Sequence, residues 1–448
     1  MIHNVIAFLP LVVLIVLALK TRKMAESMIA AVFLATILVY KQGFLSGMLD
    51  TAYEVLSDSS FQFVLLIMVG FGGLITLLQE SGALLGFRDL LEKFASGPKK
   101  SMLLAWVMAF IMFIDEYLNA LTVTFSMRDI TDKSGVPREH LAFQAHGMAC
   151  CLCMTIPFTS WTAFTVGLIS EYGFGFNDYL ASIPYMFFPL LMILLCLLLI
   201  LGLFPKVGEM KRAYERMSEG GPALLIDERA DQLVDVAPID ETKISSAWNA
   251  ILPMAALIAG VLIFDNDLLH GLLLALLVQF VLYLAQGLMN VAEFFEHFFD
   301  GVKSMTSLAV VIGFGFMLSS MNKELGMFDI LINGFSGSVP AFLLPAIAFL
   351  LVGLTTFAVG SCWVVMTIAF PIFMPLAINM SVSPMHMIAA VMSGIAMGYS
   401  LCFYADTVFM TTAGTGVSNI TIIKTTIPYA IGLTIINLAG LIICGLVG

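Results

Sequence analysis

The chain has 448 residues, 60% of them apolar and 11% charged, and its 20 Lys and Arg against 31 Asp and Glu give a net charge of −11. A soluble domain carries about a quarter charged residues, so this composition excludes a water-soluble enzyme and places the chain in a bilayer. An acidic balance with no basic stripe also excludes a nucleic-acid partner.

A helix needs about 20 apolar residues to cross about 30 Å of hydrocarbon. Segments of that kind are predicted at 5–19, 25–40, 61–80, 101–127, 141–170, 179–204, 247–265, 268–289, 304–322, 340–378, 386–411 and 425–447. The first has no positive residue before it and no small-residue cleavage site, so it is expected to stay as a helix rather than leave as a signal peptide. The seven cysteines all fall in apolar segments and read as small buried residues rather than a disulfide framework. Six segments lie on each side of a polar stretch, 205–246, whose basic residues next to Phe204 mark it as a cytoplasmic linker. The chain thus divides into a first membrane repeat (1–204), the linker, and a second membrane repeat (247–448).

A duplication is visible across that division. GFGGLITLLQE (Gly70 to Glu80) resembles GFGFMLSSMNK (Gly313 to Lys323), and Pro98 and Pro137 have counterparts in Pro340 and Pro384 in the same order. Basic loops then set the topology. Lys20, Arg22 and Lys23 put the first loop inside, and Arg88, Lys93, Lys99 and Lys100 put the fourth segment's start inside as well. Arg128, Lys133 and Arg138 remain inside only if the segment from about 98 to 130 enters and returns as a hairpin with its tip at Ile114 to Leu118. The same pattern started from Trp248 brings a second hairpin, about 340–378, in from the opposite face. The fold expected is therefore an all-α polytopic membrane protein with two inverted-topology repeats. It would hold about 10 transmembrane helices, two re-entrant hairpins and two broken helices, at about 141–170 and 386–411.

Ionisable groups inside spanning segments cost about 2.5 kcal/mol or more each, which makes every one a candidate for function. Asp115 and Glu116 sit side by side in an apolar segment, followed by Asn119, Thr122 and Thr124. Carboxylate oxygens ligate hard cations and also take protons. In the next segment Pro157 interrupts a helix while Thr159 and Ser160 offer hydroxyl oxygens, and at corresponding positions of the second half stand Asp406 and Thr407, preceded by Ser400. Ser361 with Gly360 marks the second hairpin tip. Gln144 and His146 are candidates for a polar pathway. His146, Cys150 and Cys153 share one helical face, which reads as packing more readily than as a soft-metal site. The glycines at 70–73 and 313–315 read as helix contact points, since no phosphate-loop Lys-Ser/Thr follows.

These same stretches resemble the NhaC-type sodium/proton antiporter family, which includes sodium-lactate/proton-malate antiporters. FIDEYLNALTVTFSMRDITD (Phe113 to Asp132) is similar to the family's Phe-x-Asp-Asp-Tyr region, and IPFTSWTAF (Ile156 to Phe164) to Pro-x-Ser-Thr-Trp. VGSCWVVM (Val359 to Met366) is similar to Thr-Gly-Thr-Ser-Trp, and SLCFYADTVFMTTAGTG (Ser400 to Gly416) to Ser-Pro-Ile-Ser-Asp-Thr. The resemblance implies a secondary active antiporter, not an enzyme, multi-pass in the inner membrane and homodimeric, with an elevator-like moving unit. It implies no cofactor beyond sodium ions and protons as coupling ions, with Asp115, Ser160 and Asp406 as the sodium site. Two departures stand out: Glu116 replaces the family's second Asp, and its Gly-Asp-His reads Gly398-Tyr399-Ser400. They keep open a transporter of an organic solute, an amino acid or short carboxylate, on the same ion site. A channel would want a continuous polar pore, whereas these polar residues gather at one depth.

Overall fold

The computed structural model of the chain describes residues 2–21, 24–83, 86, 95–224, 244–264, 267–327, 330, 339–403 and 405–447. Every regular element among them is helical. That follows from the solvent: hydrocarbon satisfies no backbone group, and a helix closes its N–H and C=O bonds within the segment. Six helices among the described residues are long and apolar enough to cross alone, and two bent pairs raise the number to eight.

The chain opens with α1 (Ile2–Thr21), α2 (Met24–Tyr40), α3 (Phe44–Ser57) and α4 (Ser59–Glu80). The glycines of α4 are contact points, as their spacing suggests. They face α13 (Leu268–Ala285) and α14 (Val291–Glu324), and a Cβ on Gly72 would stand 2.5 Å from the carbonyl oxygen of Gly301. The two backbones touch because neither residue carries a side chain there.

Next comes a helical hairpin, α5 (Pro98–Ile111) and α6 (Glu116–Lys133). Ser101 and Ser134 meet through their hydroxyls at its base, 2.5 Å apart. At its tip Asn119 Nδ2 donates to the carbonyls of Ala109 (2.7 Å) and Met112 (3.2 Å). The two contacts, at opposite ends of the pair, make the arms antiparallel. The break falls at 112–115, slightly before the tip read from sequence, because Asp115 caps α6.

The first broken helix is α7 (Arg138–Thr155) and α8 (Ser160–Ser170), bent by 47°. Pro157 has no N–H to give the carbonyl of Cys153, four residues back. The hydroxyl of Thr159 supplies that donor instead, at 2.7 Å. A short α9 (Phe176–Ser182) leads to α10 (Phe187–Leu201), bent by 56° from it. The linker is not all loop: α11 (Gly208–Ser218) docks on the membrane body, with Arg216 forked onto Glu139 at 2.8 and 2.9 Å.

In the second half α12 (Trp248–Ile263) and α13 precede α14, which is 34 residues long. The apolar window at 304–322 covers only part of α14, whose first turns interleave Phe294, Phe295, Phe298 and Phe299 with Glu293, Glu296, His297 and Asp300 and start at an Asn290–Glu293 capping box. A second hairpin, α15 (Leu344–Val359) and α16 (Cys362–Asn379), breaks at Gly360, whose φ of 75° suits a residue without Cβ. A second broken helix follows, α17 (Pro384–Leu401) and α18 (Asp406–Thr415), and α19 (Asn419–Val447) closes the chain.

Two faces are distinguishable. On one, Lys99 Nζ donates to the carbonyl of Leu201 at the end of α10 (2.9 Å), and the linker docks beside it. Arg138 joins Asp132 (2.7 Å) and the carbonyl of Thr415 (2.9 Å) there. On the other, a cavity of about 740 Å³ gathers Glu54, Asp58, Glu171, Lys323 and Asn379. The base of the first hairpin lies on the linker face and that of the second on the cavity face.

Candidate functional site

The first hairpin tip places two carboxylates in the interior. Asp115, 4% exposed, is the N-cap of α6, and its Oδ1 accepts from the backbone N–H groups of Tyr117 (2.9 Å) and Leu118 (3.0 Å). The positive end of the helix favours an anion at this position. Glu116 is fully buried, and its Oε2 accepts from the indole N–H of Trp161 at 2.6 Å. Asn119 spends both amide hydrogens pinning the tip, so what it has left is an acceptor: among the described residues, its buried Oδ1 has no hydrogen-bond partner, and neither has the buried hydroxyl of Thr122 one turn on. Lone pairs at such a place suit a cation.

The first break touches this tip. Ser160 Oγ lies 3.5 Å from the carbonyl of Ile114, and Cys153 Sγ donates to that of Phe113 at 3.2 Å. Thr159 caps α8 through Thr162 N at 3.2 Å, and the hydroxyl of Tyr179 takes the Met154 carbonyl at 2.7 Å. Most carbonyls freed by the interruption are therefore held by named donors.

The second break is reached from the first half. His146, fully buried on α7, has Nε2 3.2 Å from the carbonyl of Ser400 and Nδ1 3.3 Å from Thr407 Oγ1. Asp406 begins α18; its side chain lies outside the described residues. Ser361 is the N-cap residue of α16 without a side-chain cap bond.

An aromatic cluster joins these parts. The ring of Trp161, on the far side of the first break, lies 5.4 Å from Trp363 at the second hairpin tip and 6.4 Å from Tyr399 at the end of α17. Phe164 packs edge-on against Trp363 at 5.2 Å. Glu116, Trp161, Trp363 and Tyr399 thus bring both hairpin tips and both broken helices to one place.

Residues 152–446 match the model of the Na+/H+ antiporter family. The chain belongs to this family. A relative from Haemophilus influenzae, described only as an uncharacterized protein, is 23% identical over 486 positions, covering 99% of this chain and 91% of its own. Two solved structures share the fold. The Alcanivorax borkumensis YdaH transporter, whose topology is described as unusual, aligns over 90% of this chain and 88% of its own with TM-score 0.57 and 16% identity. MtrF of Neisseria gonorrhoeae, described as illuminating a class of antimetabolite efflux pumps, aligns over 91% and 85% with TM-score 0.61 and 14% identity. This family member is accordingly a multi-pass membrane transporter working on a solute in a lipid bilayer, not an enzyme.

Within the transporter, Asp115, Glu116, Asn119, Thr159 and Ser160 group around the first tip and first break, and Ser400 and Thr407 around the second break with His146. Gln144 is not brought to them. Its amide points the other way, 3.4 Å from the carbonyl of Met102 near the hairpin base. His146 and Cys153 are committed to separate partners, which accounts for their shared face without a metal. Tyr179, Trp363 and Tyr399 join the site without having been singled out as members, and Thr122, read in the sequence with Asn119 as part of the polar group after Asp115 and Glu116, joins them. Thr122 follows Asn119 by three residues on one helical face.

Proposed function

We propose that this protein is a secondary active antiporter of the cell (inner) membrane exchanging sodium for protons, with Asp115 and Asp406 alternating between the two ions. Thr159, Ser160, Ser361, Ser400 and Thr407 supply neutral oxygens, and the two hairpin tips close the site. The observation that carries the reading is the convergence of two hairpin tips and two helix breaks on one buried place with Asp115 and Glu116 in it. Transport sites of this construction form where helices are interrupted at the midplane. Hairpin bases on opposite faces support two inverted repeats, 1–204 and 247–448 around the linker at 205–246, with the hairpins entering from either side. A homodimer with an elevator-like moving unit completes the reading.

A second reading keeps the ion site and adds an organic solute. The aromatic wall of Trp161, Phe164, Trp363 and Tyr399 favours it, and the structural likeness to MtrF, an antimetabolite efflux pump, points the same way. Purified protein in proteoliposomes with a pH gradient separates the two. Collapse of the gradient on adding sodium alone, abolished by Asp406→Asn, is the expected result. Collapse only when an amino acid or carboxylate is present would overturn the first reading in favour of the second.

A further inference from the structure

The two helix breaks are held in different ways. At the first, the freed Cys153 carbonyl is met from within the break, by Thr159. At the second, the partner comes from 254 residues away: His146 spans the gap, touching Ser400 at the end of α17 and Thr407 at the start of α18. At the offset that relates Pro137 to Pro384, His146 falls on Ser393. The hydroxyl of Ser393 is buried without a hydrogen-bond partner among the described residues, so Ser393 makes no matching bridge there to the first break.

The chemistry of the bridge is directional. A carbonyl oxygen only accepts, so the neutral imidazole carries its proton on Nε2, toward Ser400, and Nδ1 is left as a lone-pair acceptor. Thr407 has a single O–H, and this acceptor takes it. The threonine oxygen then has nothing but lone pairs to present on its other side. We propose that His146 is a positioning residue that fixes the Thr407 hydroxyl as an acceptor toward the cargo, making the second break select a cation. The proposal rests on the cation-exchange reading given above. Two neighbouring features agree with it. The Thr407 carbonyl is anchored by the Thr411 hydroxyl at 2.8 Å, which steadies this turn of α18. Beside it the buried Ser400 hydroxyl has no hydrogen-bond partner among the described residues, which leaves its oxygen free for a ligand.

Two substitutions divide the ring's functions. His146→Asn keeps an acceptor close to the Nδ1 position, while His146→Gln keeps a donor close to Nε2 and loses the acceptor. In sodium-driven proton exchange with proteoliposomes, His146→Gln is expected to raise KM for sodium about tenfold with kcat within about twofold, the scale of one hydrogen bond. His146→Asn should restore KM to within about threefold of the parent protein. Thr407→Val, read against Thr407→Ser, should reproduce the His146→Gln effect at unchanged melting temperature, and this pair decides the matter if the histidine variants do not fold. Equal KM in His146→Gln and His146→Asn, or a parent-like KM in Thr407→Val, would overturn the inference while leaving the exchange reading intact. A parent protein that exchanges no cation overturns the exchange reading, and this inference with it.

Discussion

Asp115 holds two positions at once, a helix cap and a candidate ion ligand, and substitutions can separate them. Its Oδ1 accepts from the N–H groups of Tyr117 and Leu118, the latter residue buried at 3% exposure. Asp115→Ala removes the one oxygen that accepts from both groups and leaves two buried donors unpaired. Loss of an N-cap costs about 1–2 kcal/mol, and burial moves the expectation to about 2 kcal/mol. Asp115→Asn keeps an Oδ1 in the same place and gives up only the charge's attraction to the helix end, about 0.3–1 kcal/mol. For transport the order changes. A buried charge that loses its opposite costs about 3–5 kcal/mol, so without the carboxylate the affinity for a cation should fall by about 100-fold or more. Thermal unfolding in detergent and sodium-dependent proton flux in proteoliposomes read the two quantities separately. Asp115→Asn should be close to the parent in stability and without measurable coupled flux, and Asp115→Ala should lose both. An Asp115→Asn protein with the parent's KM for sodium would refute the ion role and leave Asp115 as a cap alone.

Two further expectations follow from contacts away from that cap. Trp161→Phe keeps the ring contact with Trp363 but takes the donor from Glu116, so stability should fall by about 2 kcal/mol, and combining it with Glu116→Gln should cost clearly less than the sum of the two; additive losses in thermal denaturation would mean that the pair is not coupled. At the cavity face, burial and then Asp58 push the Glu171 carboxyl up to about 7 against the opposing pull of Lys323. The unfolded carboxyl titrates near 4.5, so between 4.5 and about 7 the folded state holds the extra proton and stability falls as pH rises. Melting temperatures from pH 5 to 8.5 should show this decline in the parent protein and a flatter profile in Glu171→Gln; identical profiles would count against the shift.

The sequence made the interruptions readable because each violates the pattern around it. Asp115 and Glu116 are charges in an apolar run, Pro157 lacks a donor inside a helix, and Gly360 occurs where an arm must reverse. The elements of spanning length were readable for the same reason, as runs with too few charges to be anything else. What escaped was the set of partners. Trp161, Trp363 and Tyr399 look in the sequence like any aromatic residue facing lipid or core, and their meeting depends on how the two halves pack. The contact between His146 and Ser400 likewise has no local signature. Short α3, α9 and the docked α11 fall below spanning length, so an apolar-window reading passes over them.

One guanidinium has mechanical meaning. Arg138, at the first turn of α7, grips Asp132 near the end of the first hairpin and the carbonyl of Thr415 at the end of α18. It acts as a rivet through three members at one end, while Asn119 and the Glu116–Trp161 bond fasten the same assembly at the other. A pocket fastened at both ends resists changes of shape. The second hairpin adjoins this fastened frame at its tip, where Trp363 lies 5.4 Å from Trp161 and edge-on to Phe164 at 5.2 Å, so its fit depends on side-chain packing rather than on ion pairs of this kind.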